Sequence, residues 1–397
     1  MPDDDDTHVV TRRPDRTSAP TALPAAEPLA NDLSEATGPS LEQARLLEVA
    51  GPYTPRAPSR LSERDCRWIG ALVGAAVGDA LVLPWRRSSL RPRASAERDF
   101  GDAPHYALLA EVGLFSAETE TLALLLHTIL EQRQSFDALV RQLRRRLGRW
   151  ILSLPAGATP ATRAAAWRML FGQRQPGRPA ADNGVALRAL ALALAWPHDA
   201  KRRVAHGRAL ARLTHTDPRA VEGALFASEL TARCLGADTQ ADRRQLVGRA
   251  LESVQHATLR QAITEAASRT HGPKPRSASA YIVDTLRVCV ADFVQRGDAP
   301  EHCLSANIGR AATTPVTTAL LGGWLGALHG HTGLPAELVQ TLDNGPLGRD
   351  HLVSLALAAA RGTSPPRSLG AWRGLSRHIW LHMLIWTRRL RPRRGAS

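Results

Sequence analysis

Carboxylates beside hydroxyls are the groups in this chain that could do chemistry, and they are few. Ser116-Ala117-Glu118-Thr119 opens the apolar stretch Leu122 to Leu130. Glu118 therefore stands in the first turn of a helix, as a candidate general base or as a charge that suits the helix dipole. Glu120 takes that role if the register slips. Asp79 follows Gly78 at the end of an earlier apolar stretch and reads equally as a cleft residue or a turn residue. Thr214-His215-Thr216-Asp217-Pro218 makes Asp217 a helix cap and His215 an interior hydrogen-bonding group. The segment Asn307–Gly330, NIGRAATTPVTTALLGGWLGALHG, has the frame of a metal-binding loop leading into a small-residue helix, yet no Asp or Glu occurs between Glu301 and Glu337. What remains there is Arg310, Thr313 and Thr314. Thr314 is a good N-cap with Pro315 at the first helical position, and a helix start beside hydroxyls and a cation suits an anion rather than a metal.

Helices must position these groups. Apolar residues recur at helical spacing over about 64–81, 117–132, 136–153, 160–171, 184–196, 199–213, 218–235, 240–254, 257–268, 279–296, 315–330 and 347–360. Alternating Val/Ile/Thr runs are scarce, so the expected fold is all-α, one compact domain over residues 61–366, without a repeat period. Gly322, Gly326 and Gly330 lie four apart on one helical face, where another backbone can approach. Residues 1–60, beginning MPDDDD and rich in Pro, Ala, Thr, Ser and Asp, read as a disordered leader.

Arg67–Pro84, RWIGALVGAAVGDALVLP, together with the Asn307–Gly330 segment, resembles the two end motifs of the ADP-ribosylglycohydrolase family, RxxGaLxGxAxGDAxGxP and GGDTDTxAAxxGAxxGAxxG. Intermediate landmarks follow in order. SAET at 116–119 resembles the family's TDDT motif. Trp150, Pro155 and Thr162 sit where the family has a Trp, a Pro and a small-residue turn. Asp182-Asn183-Gly184 with Arg188 resembles GNGaaMR, 214–218 resembles THxDP, and Tyr281–Leu286 resembles YVxdTL. The resemblance implies an all-α fold and a cleft in which Asp and Thr oxygens of the two acidic motifs hold two magnesium ions beside a ribose.

This chain departs from that pattern where the metal would bind. Ala117 replaces one Asp. Depending on how the longer second loop is aligned, Thr313 and Pro315, or Ala311 and Thr313, replace the others. Mg²⁺ takes oxygen donors in octahedral array and needs carboxylate charge to be dehydrated. The expectation is therefore no metal cofactor, Glu118 as the residual catalytic candidate, and a ligand site formed by Asp79, Arg86, Ser116, Asn183, Gly184, Arg310, Thr313 and Thr314. Arg86 stands where the family's run ends in Glu; it either faces solvent or, with Arg310, holds a diphosphate without metal.

A net charge of +14 comes almost wholly from arginine, Lys201 and Lys274 being the only lysines. This reads as compositional bias, with nucleic acid not the expected partner. Cys66, Cys234, Cys289 and Cys303 show no CxxC spacing and read as reduced thiols. No apolar run reaches the roughly 18 residues of a membrane span. Residues 367–397 form a basic tail in which Trp372, Trp380 and Trp386 interleave with arginines and no acid occurs after Ser368. On a helix, Ile379, Met383 and Trp386 share one side, which suits an anionic membrane surface or a partner's groove. The other reading has Trp380 and Leu384 closing the core with the arginines solvated. The functional expectation is a degenerate, non-hydrolytic protein that binds ADP-ribose, a related nucleotide or an ADP-ribosylated protein. The alternatives are an active hydrolase of the ribose glycosidic bond, and an exported or membrane-surface effector. The cytoplasm is the expected compartment, with secretion by a bacterial export system as the alternative.

Overall fold

A computed structural model describes residues 61–85, 104–109, 111–268, 280–308, 314–367 and 371–390. The leader, Arg86, Arg310, Thr313 and the last seven residues lie outside them. In chain order the helices are α1 (Glu63–Val82), α2 (Ala117–Glu131), α3 (Phe136–Trp150), α4 (Pro160–Leu170), α5 (Gly184–Arg188), α6 (Leu190–Ala195), α7 (Ala200–Arg212), α8 (Pro218–Leu235), α9 (Arg243–Leu251), α10 (Ala257–Ser268), α11 (Ile282–Arg296), α12 (Pro300–Ile308), α13 (Pro315–His329), α14 (Ala336–Gln340), α15 (Arg349–Arg361) and α16 (Ala371–Leu390). Among the described residues there is no β-strand beyond isolated bridges, so the all-α expectation holds. The spacing of apolar residues placed most helices to within a few residues; the short α12 and α14 were not anticipated. No helix among the described residues is long and apolar enough to cross a membrane.

At the centre, α1 and α13 run antiparallel with their glycines in register. A Cβ on Gly70 would lie 2.2 Å from the Gly326 carbonyl oxygen, one on Gly74 2.3 Å from that of Gly322, and one on Gly78 2.1 Å from that of Thr318. Only hydrogen at these positions lets the two backbones meet so closely. The other helices wrap this pair. Trp324 of α13 is fully buried, edge-on to Phe226 of α8 and Phe293 of α11. Ser62 caps α1 reciprocally with Asp65, which also binds Arg361 at the end of α15.

Helix α16 packs on this body through polar groups. Arg377 Nη1 donates to Glu120 Oε1 at 2.6 Å, its Nη2 to the Phe115 carbonyl at 2.9 Å, and its guanidinium stands 4.5 Å over the Phe115 ring. His378 Nδ1 accepts from the Ala156 N–H, so its Nε2 carries the proton that goes to Glu120 Oε2 at 2.8 Å. Trp150 Nε1 also donates to Glu120 Oε2. Burial opposes ionisation of Glu120, but the Arg377 charge and the His378 hydrogen bond outweigh it and hold the carboxyl below its ordinary range. Leu381 is buried beside Leu83 and Ala156. The reading in which the tail closes the core with its arginines solvated thus needs correction. Trp380 and Leu384 are only half-buried while Arg377 is buried, because a buried carboxylate needs a cation more than the core needs another ring. Ile379, Met383 and Trp386 do share one side, and that side is outward, at 46%, 61% and 61% exposure.

Overpacking at the central crossing and an open glycine elsewhere should respond oppositely. Gly326→Ala would place its Cβ 1.9 Å from the Gly70 carbonyl oxygen and should destabilise by about 1–3 kcal/mol despite better helix propensity. Gly248 is exposed in α9 with open space around it, so Gly248→Ala should stabilise by up to about 1 kcal/mol. Urea unfolding of both variants checks this; an equally stable Gly326→Ala protein would contradict the crossing.

Candidate functional site

The register of α1 against α13 brings the last turn of α1 to the first turns of α13 and α2. Asp79 is fully buried there. Its Oδ2 accepts from the Ser116 N–H at 3.0 Å, the Ser116 hydroxyl at 2.8 Å and the Thr119 hydroxyl at 2.6 Å. Oδ1 has no hydrogen-bond partner among the described residues. Asp79 lies within α1 rather than in a turn after it, so the turn reading does not apply. Ser116 is the N-cap of α2, accepting from the Glu118 N–H while donating to Asp79. Glu118 is buried, and its Oε1 accepts from the Thr159 N–H at 2.6 Å. It is thus tied to the loop before α4 rather than capping its own helix.

Asn183 and Gly184 meet these groups from the other side. A Cβ on Gly184 would strike the Thr159 hydroxyl at 2.3 Å, so glycine is needed for the approach. Asn183 Nδ2 donates to the Thr285 hydroxyl at 2.8 Å and to the Thr314 hydroxyl at 3.1 Å. Thr314 caps α13 as the sequence suggests, and more completely: its side chain accepts from the Thr317 N–H while the Thr317 hydroxyl accepts from the Thr314 N–H. Below lies a relay the sequence did not assign to the site. Arg188 Nη2 donates to the Thr214 hydroxyl at 2.6 Å, Thr214 bonds His215 Nδ1 at 2.9 Å, and His215 Nε2 bonds Asp182 Oδ1 at 2.7 Å. Burial lowers the His215 pKa, so the ring is a neutral donor to Asp182. Burial also lowers the Arg188 pKa against the opposing fields of Glu118 and Asp182. The signal for Arg188 was present as charge in an otherwise apolar helical stretch, while Asp182, Thr214 and His215 lie between helices, and nothing local showed which partners would meet.

Six of the expected site residues, Asp79, Ser116, Glu118, Asn183, Gly184 and Thr314, are therefore brought together, the first three linked to the others through Thr159. Arg86, Arg310 and Thr313 lie outside the described residues. A dinuclear magnesium centre needs several carboxylates converging on one space. Ala117 is fully buried and brings no donor, the Thr314 and Thr317 hydroxyls cap one helix, and the Thr318 hydroxyl donates to Asn307. Among the described residues no group of three or more His, Cys, Asp or Glu side chains is placed to hold a metal ion. The described residues do not make up the oxygen set of such a centre.

Burial pushes the Asp79 carboxyl above its ordinary range, against the hydrogen bonds from Thr119 and Ser116. A carboxyl raised on folding contributes stability that is full below its unfolded pKa and is lost as pH rises through the folded value. Asp79→Asn keeps an acceptor for Ser116 and Thr119 and removes the buried charge. Its melting temperature should equal or exceed the parent's at about pH 8, with the difference shrinking toward about pH 4. A variant less stable than the parent at the higher pH would show that the charge itself is needed.

Comparison with known proteins agrees with this architecture. No curated protein matches the chain significantly. A solved structure described as an ADP-ribosylglycohydrolase-related protein complex shares the fold, with a TM-score of 0.60 and 23% identity over 76% of this chain and 99% of that one. The family model for ADP-ribosylglycohydrolase matches residues 60–368, from before α1 to just short of α16. With the glycine crossing, the capped acidic-motif helix and the Asn183–Thr314 contact inside that span, this chain belongs to the ADP-ribosylglycohydrolase family.

Proposed function

We propose that the chain is a catalytically degenerate member of its family, which binds ADP-ribose, a related nucleotide or the ADP-ribose of a modified protein without a divalent cation. One observation carries this reading. At the start of α13, where the family's second acidic motif stands, the groups are the Thr314 and Thr317 hydroxyls and the Asn183 amide, all engaged with one another. Neutral groups at a helix N-terminus favour an anion through backbone N–H groups and the dipole. Buried Arg188 adds a positive field from beneath. The competing reading is a working hydrolase with Glu118 as base, supported by the burial of that carboxylate beside Arg188.

Calorimetry should show ADP-ribose binding of equal affinity in EDTA and in excess Mg²⁺, and an ADP-ribose release assay on a modified substrate should show no turnover above background. Metal-dependent binding contradicts the proposed site. Turnover that Glu118→Ala abolishes replaces the proposal with the hydrolase.

A second surface supports a second reading. Helix α16 buries Arg377 and His378 and leaves Ile379, Met383 and Trp386 outward, with Leu152 and Leu154 also exposed on the short turn it packs against. Five arginines follow in residues 388–394. Exposed Trp and aliphatic groups near clustered arginines suit an anionic lipid surface. The full chain should co-sediment with phosphatidylserine-containing vesicles and not with phosphatidylcholine alone, and Ile379→Ser/Met383→Ser/Trp386→Ser should abolish it. Deleting the helix is the poorer test, because it would uncover Glu120. Equal sedimentation of the triple variant would remove this side from the account.

A further inference from the structure

Glu118 and Glu120 are two positions apart on α2, so their side chains leave the helix in nearly opposite directions. Glu118 faces the site already described. On the Glu120 side, α2 and α3 enclose a separate cavity of about 410 Å³, bounded at one end by Gly374 of α16. Such a volume is within the usual range for small-molecule pockets. Its apolar lining comes from Ala123, Leu124, Trp150 and Leu347. Leu347 holds φ at 65°, a left-handed conformation unfavourable for a residue with a side chain and found preferentially at ligand sites.

The charges around this cavity do not cancel. Glu120 is the one carboxylate in the lining, and Arg377 neutralises it at 2.6 Å. Arg146 is paired with Glu131 at 2.6 Å and also donates to His127 and Thr128. The His127 ring is engaged on its other nitrogen by the Pro366 carbonyl. Arg145 and Arg149 remain. Both line the cavity, both are exposed, and neither has an ion pair or hydrogen bond among the described residues. With Gln142 they are spaced three and four apart along α3, which places all three on one face at the mouth. The result is an apolar chamber with two uncompensated guanidinium groups at its opening.

We propose that this cavity binds an amphiphilic anion, its acidic head held by Arg145 and Arg149 and its apolar body lying against Leu124 and Trp150. Guanidinium groups suit carboxylate, sulfonate and phosphate heads alike. The chamber walls supply the preference for a hydrocarbon or aromatic body. This site is independent of the ADP-ribose reading, since it uses none of the residues around Glu118.

Titration calorimetry on the full chain with octanoate, with octanol and with acetate separates body from head. Octanoate should bind saturably at one molecule per chain, and octanol and acetate at least about tenfold more weakly. Arg145→Gln/Arg149→Gln should weaken octanoate by about tenfold while leaving the melting temperature unchanged, and Gln142→Glu, which sets an opposing charge at the mouth, should weaken it as well. Met383→Ser/Trp386→Ser should bind as the parent does. The proposal is overturned if octanoate gives no saturable heat or octanol binds as well as octanoate. It is equally overturned if the arginine variant retains full affinity, or if the Met383/Trp386 variant loses it and so places the ligand on the outer side of α16.

Discussion

The approach of two helical backbones at Gly70, Gly74 and Gly78 against Thr318, Gly322 and Gly326 is the constraint from which the rest of the molecule is built. Because the helices run antiparallel, the close contact fixes the end of α1 beside the beginning of α13. Asp79 and Thr314 are carried to neighbouring places without either having to attract the other. Helix α2 then attaches through its own N-cap, since Ser116 serves both the first turn of its helix and the Asp79 carboxylate. Packing sets the position, and hydrogen bonds make it specific.

Four buried or half-buried carboxylates show how differently one low-polarity interior treats one functional group. Asp79 meets only hydroxyl and amide donors, so burial wins and its charged form is disfavoured. Glu120 meets a guanidinium and an imidazole N–H, so its charged form is kept. Burial opposes ionisation of Asp182, but His215, the Gly184 N–H and Thr159 together outweigh it and lower its pKa. Glu118 accepts from a backbone N–H within the field of Arg188. A divalent cation needs several charged oxygens in one place. Here each of the four carboxylates accepts from at least one protein donor, and Asp79 keeps one buried oxygen with no partner among the described residues.

Helix α16 inverts the usual arrangement of an amphipathic helix. Its Arg377 and His378 point in beside Leu381 while Ile379, Met383 and Trp386 point out, because the body offers it a buried carboxylate next to a small apolar contact. The inverted helix both neutralises Glu120 and forms one end of the chamber beneath α3. Whatever covers its outer side would therefore act close to that chamber, on the opposite flank of α2 from Glu118.

Much of the fold was legible in the chain itself. Helical spacing of apolar residues gave the all-α class and most element bounds, Thr314 before Pro315 announced a helix start, and glycines four apart announced a close crossing. The missing acids between Glu301 and Glu337 were equally plain, since composition needs no coordinates. Local sequence could not say that Glu118 and Glu120 serve opposite sides of one helix, with Thr159 as partner of the first and Arg377, 257 positions away, as partner of the second. Nor could it say that the tail would dock by its polar side. The periodicity of a helix names its faces, but which face turns inward depends on what the rest of the chain has left unsatisfied, and only the folded molecule decides that.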